Sequence, residues 1–306
     1  MRIIRHPKKE KLHRPAVALG TFDGVHIGHQ KIIKATIKYA KKIGAHSAVI
    51  TFDPHPQEVI VPERGLRLLT TLAEREALFC TLGIDSVVVI GFTPRMRNLS
   101  YSEFVERYLV DRLAVRQVFV GYDYAFGKGR SGNVTALRKL GKKFSFGVTV
   151  IPPVKVDNLP AKSGKIRELL SQGQFNAAVK MLGHPYRITG KVVSGSGRGK
   201  TLGFPTANLK PAPDKLIPAQ GVYSGFVDGL PAGRQGKKCV INIGSRPTFG
   251  AGRSLVEVHI LNFGRNIRGK VIAVDIFSRL RDERQFSDVD KLREQIKKDI
   301  VQARRM

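Results

Sequence analysis

The segment between residues 16 and 42 constrains the fold of this chain more than any other. Four apolar residues, Ala16–Leu19, lead into a glycine-containing turn, and the turn leads into a helical pattern in which Ile33, Ile37 and Ala40 share one face. A buried strand, a tight turn and an amphipathic helix are the unit from which doubly wound α/β sheets are built. In such sheets the N–H groups at the start of the helix bind phosphate.

The turn itself contains two histidines, His26 and His29, separated by Ile27 and Gly28. Two imidazoles three residues apart can hydrogen-bond the α-phosphate of a nucleoside triphosphate, and Gly28 lets the backbone come close to it. No cysteine or third histidine stands at metal-ligand spacing, so zinc is not the expected occupant. The turn therefore predicts a site at which a triphosphate is attacked.

The rest of the first half continues the alternation of strand and helix. Apolar runs predict strands at residues 48–52, 86–90, 117–120 and 148–151. A helix is predicted at 72–82, and another begins at Ser100, where Glu103 completes a capping box. The pattern predicts a parallel, doubly wound, Rossmann-like α/β domain.

Two short helices are predicted at residues 164–171 and 175–182. After them the pattern changes. Short strands separated by glycine-rich turns are predicted at residues 187–193, 222–227, 239–243, 255–261 and 270–277, with an amphipathic helix at 289–301. Strands without intervening helices are typical of a small antiparallel β-barrel, here closed by a final helix. We expect two domains, 1–183 and 184–306.

Composition limits the class of protein and of partner. The chain has 306 residues and a net charge of +29, which favours anionic ligands. No zinc-finger spacing or aromatic RNA-binding signature is present, so we do not expect dedicated nucleic-acid binding. No apolar run approaches the ~20 residues of a membrane helix, and we expect no signal peptide. We expect Cys80 and Cys239 to be reduced and buried in a cytoplasmic protein; the sequence leaves homo-oligomerisation open.

Two further segments follow predicted strands and so lie at the ligand-binding edge of the sheet. Residues 51–56 contain His55 between two prolines, which fits either a ligand contact or a rigid loop. Residues 121–127 contain Asp123 and three aromatic side chains, among them Phe126. These rings fit either stacking on a planar ligand or packing in the core.

The predicted barrel has a candidate site of its own. The glycine-rich stretch 195–208 does not fit the P-loop pattern. Thr206 and Asn208 project on one side of an extended chain, where they can hold Mg²⁺ and nucleotide phosphates, although the pattern alone equally fits two polar residues of an edge turn. In the predicted strand 255–261, Glu257 and His259 alternate with apolar residues. A carboxylate on the open face of a barrel can accept a proton from an attacking hydroxyl, although the pattern equally fits a solvated glutamate.

These segments resemble a known family. Residues 20–30, 51–56 and 121–127 resemble the N-terminal half of the bacterial bifunctional riboflavin kinase/FAD synthetase family. Its kinase half is similar to residues 202–208, 221–223, 242–249 and 257–259, followed by Arg281, Glu283 and Phe286. The resemblance extends over about residues 15 to 300.

The resemblance implies two reactions. The first half adenylylates FMN to FAD, and the second half phosphorylates riboflavin to FMN, each with ATP and Mg²⁺ and with the flavin as substrate. Glu257, His26 and His29 are then the expected catalytic residues. The residues expected to bind ATP or its phosphates are Gly20, Phe22, Asp23, Gly28, Ser163, Arg167, Gly203, Thr206 and Asn208. Those expected at the flavin are His55, Asp123, Phe126 and Arg281, and those expected at Mg²⁺ are Thr206 and Asn208.

The chain departs from the family pattern in one loop of its first half and, in its second half, at Asn262, where the family usually has aspartate. The family usually has Ser-Ser-Thr-Arg-Ile-Arg where this chain has Lys-Ser-Gly-Lys-Ile-Arg at residues 162–167. Ser163 and Arg167 match, whereas Lys165 replaces an arginine. Lysine keeps the positive charge but lacks the two-pronged geometry of the guanidinium.

An alternative comes from the same tetrapeptide at residues 26–29, which is also the signature of class I aminoacyl-tRNA synthetases. The net charge of +29 suits tRNA, and Lys162–Lys165 is weakly similar to their lysine-serine motif. Nothing in the chain resembles an anticodon-binding domain. The alternative is a nucleotidyltransferase acting in RNA metabolism.

Overall fold

The computed structural model describes residues 1–5, 7–8, 12, 14–195, 197–230, 236–245 and 254–305. The chain forms two compact units, Met1–Ser163 and Gly164–Met306. Residues 246–249 of the kinase-like motif lie outside the described residues. The expected functional division after residue 183 stays a prediction.

The first unit is built on a six-stranded sheet in which every neighbouring pair is parallel, in the order β1-β4-β3-β2-β5-β8. Its strands are β1 (Arg2–Arg5), β2 (Ala16–Leu19), β3 (Ser47–Asp53), β4 (Ser86–Gly91), β5 (Gln117–Gly121), β6 (Ala125–Phe126), β7 (Gly132–Asn133), β8 (Gly147–Ile151), β9 (Lys155–Val156) and β10 (Leu159–Pro160). Its helices are α1 (Ile27–Lys42), α2 (Pro56–Ile60), α3 (Leu72–Leu82), α4 (Pro94–Arg97), α5 (Tyr101–Phe104), continued by a π-helical segment (Val105–Arg112), and α6 (Val134–Lys143), with 3₁₀ turns at Pro62–Arg64 and Lys128–Arg130.

Both faces of this sheet are buried, which is why its strands are apolar without alternation. Ala16 and Ala18 of β2 face a cluster that includes Ile33 of α1 and Phe79 of α3. The other β2 side chains, Val17 and Leu19, belong to a second cluster formed with the π-helical segment and α6. The sheet is therefore doubly wound.

The strand order places the ligand-binding edge. From β2 the chain proceeds outward through β3 and β4, and it then returns to pair β5 with the other side of β2. The direction of winding reverses at β2, so the carboxyl ends of β2 and β5 open a crevice, as at the switch points of other doubly wound sheets.

The second unit is a closed six-stranded barrel, with all its paired strands antiparallel, in the order β11-β12-β15-β14-β13-β16. Its strands are β11 (Tyr186–Val193), β12 (Ala207–Pro211), β13 (Gly221–Asp228), β14 (Lys237–Ser245), β15 (Ser254–Ile260) and β16 (Val271–Arg281). Its helices are α7 (Ser163–Ser171), which begins on the last residue of the first unit, α8 (Phe175–Leu182), α9 (Arg198–Thr201) and α10 (Val289–Arg304).

Alternation along the barrel strands separates the interior from the outer face. Val256, Val258 and Ile260 of β15 are buried, whereas Glu257 and His259 are half-buried on the outer face. Helix α10 covers part of that outer face, since Ile300 and Ala303 pack with the apolar side chains of β13 and β14. Phe175 of α8 packs edge-on against Tyr223 of the barrel.

The expected fold class is confirmed: a doubly wound parallel sheet, then an antiparallel barrel and a final helix. In the six-stranded sheet and the barrel, two strands were not predicted: β1 is a short edge strand with one buried residue, and β12 lacks a clear apolar run. The two-residue strands β6, β7, β9 and β10 were not predicted either, because they are too short for a periodic pattern. The expectation that both cysteines are buried was wrong for Cys80. It lies on the exposed side of α3, whereas its neighbour Phe79 faces the core. Among the described residues, no helix is long and apolar enough to span a membrane.

Candidate active sites

A cavity of about 300 Å³ lies in the first unit at the carboxyl ends of β2, β5 and β8. This volume is typical of a small-molecule site. Of the residues expected at the nucleotide and flavin, the following line it: Gly20, Phe22, His26, Gly28, His29, Asp123 and Ser163. The structure thus brings together side chains from three separate segments of the sequence.

The two histidines form one unit at the start of α1. Their rings are stacked, with centroids 3.6 Å apart and planes inclined by 23°. His26 caps the helix, because its Nδ1 accepts a hydrogen bond from the backbone N–H of His29 at 3.4 Å. A Cβ on Gly28 would lie 3.0 Å from the ring of His26, so the close approach of this ring favours glycine. The pair therefore presents two imidazoles beside the N–H groups of a helix N-terminus.

The protonation state of His29 follows from its surroundings. Burial lowers the pKa of His29 well below its usual value, and the neighbouring positive charges of His26 and Arg75 lower it further. Its Nδ1 is buried and has no hydrogen-bond partner among the described residues. His29 is therefore neutral at pH 7 and carries one N–H that can donate to a ligand.

Asp23, expected at the phosphates, makes hydrogen bonds that hold the turn in place. Its carboxylate accepts hydrogen bonds from the backbone N–H groups of Leu69 and Thr70, at 3.1 and 2.9 Å, and from the Thr70 hydroxyl at 3.1 Å. The Thr70 hydroxyl also accepts from the N–H of Gly24 at 2.8 Å. Asp23 is almost fully buried, at 1% exposure. These bonds fix the turn between β2 and α1 against the segment before α3.

Replacing Asp23 by alanine is expected to lower the free energy of unfolding by about 3 kcal/mol, because two buried N–H groups lose their acceptor. Urea titration followed by circular dichroism measures this change. D23N is the matched control, since it keeps one acceptor oxygen and should lose about half as much. Equal stability of D23A and the unmodified protein would contradict this account.

Arg75 was missed in the sequence because an arginine within a helix pattern usually points to solvent. Here it is fully buried, and its Nη1 donates to the Thr21 carbonyl at 2.8 Å and to the Thr51 hydroxyl at 3.0 Å. Burial lowers its pKa, and four nearby carboxylates, those of Asp23, Asp53, Glu58 and Glu76, oppose the shift. Arg75 ties together the ends of β2 and β3 and adds positive charge near His29.

Two residues of the first unit that were expected at the flavin do not line the cavity. Phe126 is 8% exposed and packs on Tyr124 and Phe104 in the core of the first unit. His55 caps α2, its Nδ1 accepting from the N–H of Gln57 at 3.2 Å. For both residues the structure shows packing or capping, and their contact with flavin stays a prediction.

The loop that departs from the family pattern contributes Lys162 and Ser163 to the cavity. The Ser163 hydroxyl donates to the backbone carbonyl of Asp23 at 2.9 Å, which joins this loop to the turn before α1. Arg167 lies on α7, in the second unit, and its binding to ATP stays a prediction.

In the barrel, strand register gathers the second group of expected residues. Asn208 lies opposite Glu257, which on its other side lies opposite Asn242. Asn242 is paired with Val222, and Val222 with Arg281. Directly opposed residues share a face of the sheet, so one row across the outer face of five strands contains Asn208, Glu257 and Arg281.

The glycine-rich loop before β12 covers one end of this row. Gly195 lies against the Asn208 carboxamide, and Gly199 lies against the Thr206 hydroxyl. Gly203 has a φ of +86°, a backbone conformation that favours glycine in the turn before Phe204. The carbonyl of Pro205 is 2.8 Å from Nδ1 of His259, which fastens the loop to β15.

This loop and β12 supply oxygen atoms suited to Mg²⁺. Asn208 is 5% exposed, and its Oδ1 has no hydrogen-bond partner among the described residues. A buried amide oxygen without a donor fits a hard cation, and so does the hydroxyl oxygen of Thr206, two residues earlier in the sequence. The described residues contain no cluster of three or more His, Cys, Asp or Glu side chains that could hold a metal. Few protein ligands are typical of Mg²⁺ that is bound together with nucleotide phosphates.

Arg281, at the other end of the row, already has a partner. Its Nη2 donates to Asp299 of α10 at 2.8 Å and its Nε donates to the same carboxylate at 3.0 Å. Gln295 also donates to Asp299, at 2.9 Å. The ion pair is largely buried, with 15% and 4% of the side chains exposed. Arg281 therefore joins β16 to α10, and its contact with flavin stays a prediction.

Both units of the chain are similar to known proteins. Residues 8–165 match the family model for FAD synthetase, and residues 182–306 match that for riboflavin kinase. A bifunctional riboflavin kinase/FMN adenylyltransferase of Pseudomonas fluorescens is 37% identical over 95% of this chain and 93% of its own. Its counterpart from Listeria monocytogenes is 37% identical over 92% and 89%.

A solved structure matches the whole chain. It is titled a macrolide-efflux protein from Streptococcus pneumoniae, is 29% identical to this chain and superposes with a TM-score of 0.88 over all of both chains. The arrangement of the two units along the sequence is thus shared with a solved structure.

Proposed function

Since the chain belongs to the family of bifunctional riboflavin kinase/FMN adenylyltransferases, we propose which of its residues perform each reaction. The protein phosphorylates riboflavin and adenylylates FMN. The FAD synthetase model matches the first part of the chain and the riboflavin kinase model matches the second. We therefore assign adenylylation to the first unit and phosphorylation to the second. The alternative of a nucleotidyltransferase in RNA metabolism is not favoured, because both halves match flavin enzymes.

In the first unit we assign adenylylation to the cavity at the start of α1. A phosphate oxygen of FMN attacks the α-phosphorus of ATP, and the bond to the pyrophosphate group breaks. The attacking oxygen is already ionised, so this step needs no base. His26, His29 and the N–H groups of α1 stabilise the charge that develops on the α-phosphate oxygens. The stacked pair, held in place by Gly28 and the Asp23 network, is what supports this assignment.

In the second unit we assign phosphorylation to the outer row of the barrel. Glu257 accepts the proton of the ribityl hydroxyl, whose oxygen attacks the γ-phosphorus of ATP, and ADP leaves. Thr206 and Asn208 would hold Mg²⁺, which when bound neutralises charge on the ATP phosphates. The register that sets Asn208 directly opposite Glu257 supports this assignment, because the proposed base and one proposed metal ligand are then cross-strand neighbours.

Incubation of the full chain with riboflavin, ATP and Mg²⁺, followed by chromatography, tests the function. We expect FMN first and FAD later, and neither product when EDTA removes the metal. Added FMN should give FAD without riboflavin. If riboflavin gave FMN but neither riboflavin nor added FMN gave FAD, the role of the first unit would be overturned. If no FMN and no FAD formed, the roles of both units would be overturned. We place the reactions in the cytoplasm, where ATP is available.

A further inference from the structure

A lysine that the family pattern does not contain lines the cavity of the first unit. The Lys162 Nζ lies 3.3 Å from Oδ2 of Asp123 and 5.5 Å from the centre of the Tyr122 ring. All three residues line the same cavity as His26 and His29. Lys162 and Asp123 are about half exposed, at 50% and 56%.

The positive charge of Lys162 lies in the loop of residues 162–167, which departs from the family pattern. Where the family usually has serine, this chain has Lys162, and where the family has arginine, this chain has Lys165. The Lys165 ammonium lies 2.8 Å from the carboxylate of Glu168. Within this loop, the cation that lines the cavity is Lys162.

We propose that Lys162 binds a phosphate group of a substrate during adenylyl transfer. The ammonium group then releases the carboxylate of Asp123 and pairs with the phosphate instead. The inference rests on the proposed function of the first unit. The phosphate of FMN and the triphosphate of ATP offer the same chemistry to an ammonium group, and the experiment distinguishes them.

The exchange is physically reasonable because the existing pair is weak. A half-exposed ion pair contributes little to stability, since water screens both charges. A phosphate offers more negative charge and more acceptor atoms than a carboxylate, and an ammonium has three donors to direct at it. Hydrogen bonding to Tyr122, and less strongly to Asp123, raises the pKa of Lys162, so it is charged at neutral pH.

The test compares K162A, K162R and K155A with the unmodified full-length protein. Lys155 is the matched control, because it is an exposed lysine of the same unit that does not line the cavity. FAD formation is measured at varied FMN and at varied ATP. We expect K162A to raise one KM about tenfold, as loss of one charge-assisted hydrogen bond predicts, with kcat within about twofold. K162R should restore the KM, and K155A should leave it unchanged.

The substrate whose KM changes identifies the phosphate. An increase confined to FMN assigns Lys162 to the flavin phosphate, and an increase confined to ATP assigns it to the triphosphate. Unchanged KM values for both would overturn the proposal. A loss of kcat at constant KM would overturn it as well, because that result indicates a role in shaping the site.

A binding measurement separates this proposal from the proposed function. Calorimetric titration of the full chain with inorganic pyrophosphate and with FMN needs no turnover. If the unmodified protein makes no FAD, the proposed function of the first unit fails. Lys162 is then judged by binding alone: about tenfold weaker binding of either probe to K162A than to K155A supports its role, and equal binding overturns it.

Discussion

Replacing Glu257 by glutamine is expected to lower FMN formation by about 10²–10⁴-fold, because the amide cannot accept the proton of the ribityl hydroxyl. FAD formation from added FMN and ATP should stay within about twofold, since that reaction is assigned to the other unit. Glutamine is close to glutamate in size, so packing of the outer row is preserved. Chromatographic assay of both reactions on one preparation measures the two effects together.

The matched control for this variant is E294Q, which removes an exposed carboxylate of α10 outside the row. It should leave both reactions unchanged. If E257Q made FMN at the normal rate, Glu257 would be the solvated strand glutamate that its alternation alone equally allows. If E257Q abolished both reactions, the division between the units would be wrong.

Replacing His29 by alanine is expected to lower FAD formation from FMN by about 10²–10³-fold, the usual effect of removing one preorganised donor at a developing charge. FMN formation from riboflavin should be unaffected. H29N is the informative comparison, because its side-chain amide keeps a donor and should recover part of the rate. H46Q, which alters a histidine that does not line the cavity, should retain both reactions.

The low pKa of His29 adds a second readout for the same variants. In the folded protein His29 resists protonation, whereas in the unfolded chain it binds a proton below its ordinary pKa of about 6.5. Its contribution to stability is therefore complete above that value and is lost progressively as the pH falls below it, toward the lowered pKa of the folded protein. Thermal unfolding between pH 7.5 and 5.5 should show a steeper loss of stability for the unmodified protein than for H29N. Parallel curves would contradict the burial of a neutral His29.

Several features of the sites could be predicted from local sequence, and others could not. His26 and His29 were found because a strand, a turn and a helix signal follow one another without interruption. Glu257 was found because strand alternation places it on the polar face. Phe126 and His55 also follow predicted strands at the ligand-binding edge of the sheet. In the structure, however, Phe126 packs in the core and His55 caps a helix.

The amino-acid sequence by itself determined the doubly wound sheet, the barrel and the start of α1, because periodicity and capping act over a few residues. Only the tertiary structure decided which distant residues meet. It set Asn208 opposite Glu257, buried Arg75 beneath two strand ends and brought Lys162 to Asp123. Such contacts join positions 24 to 54 residues apart. They depend on strand register and on burial of the whole core, which no local pattern specifies.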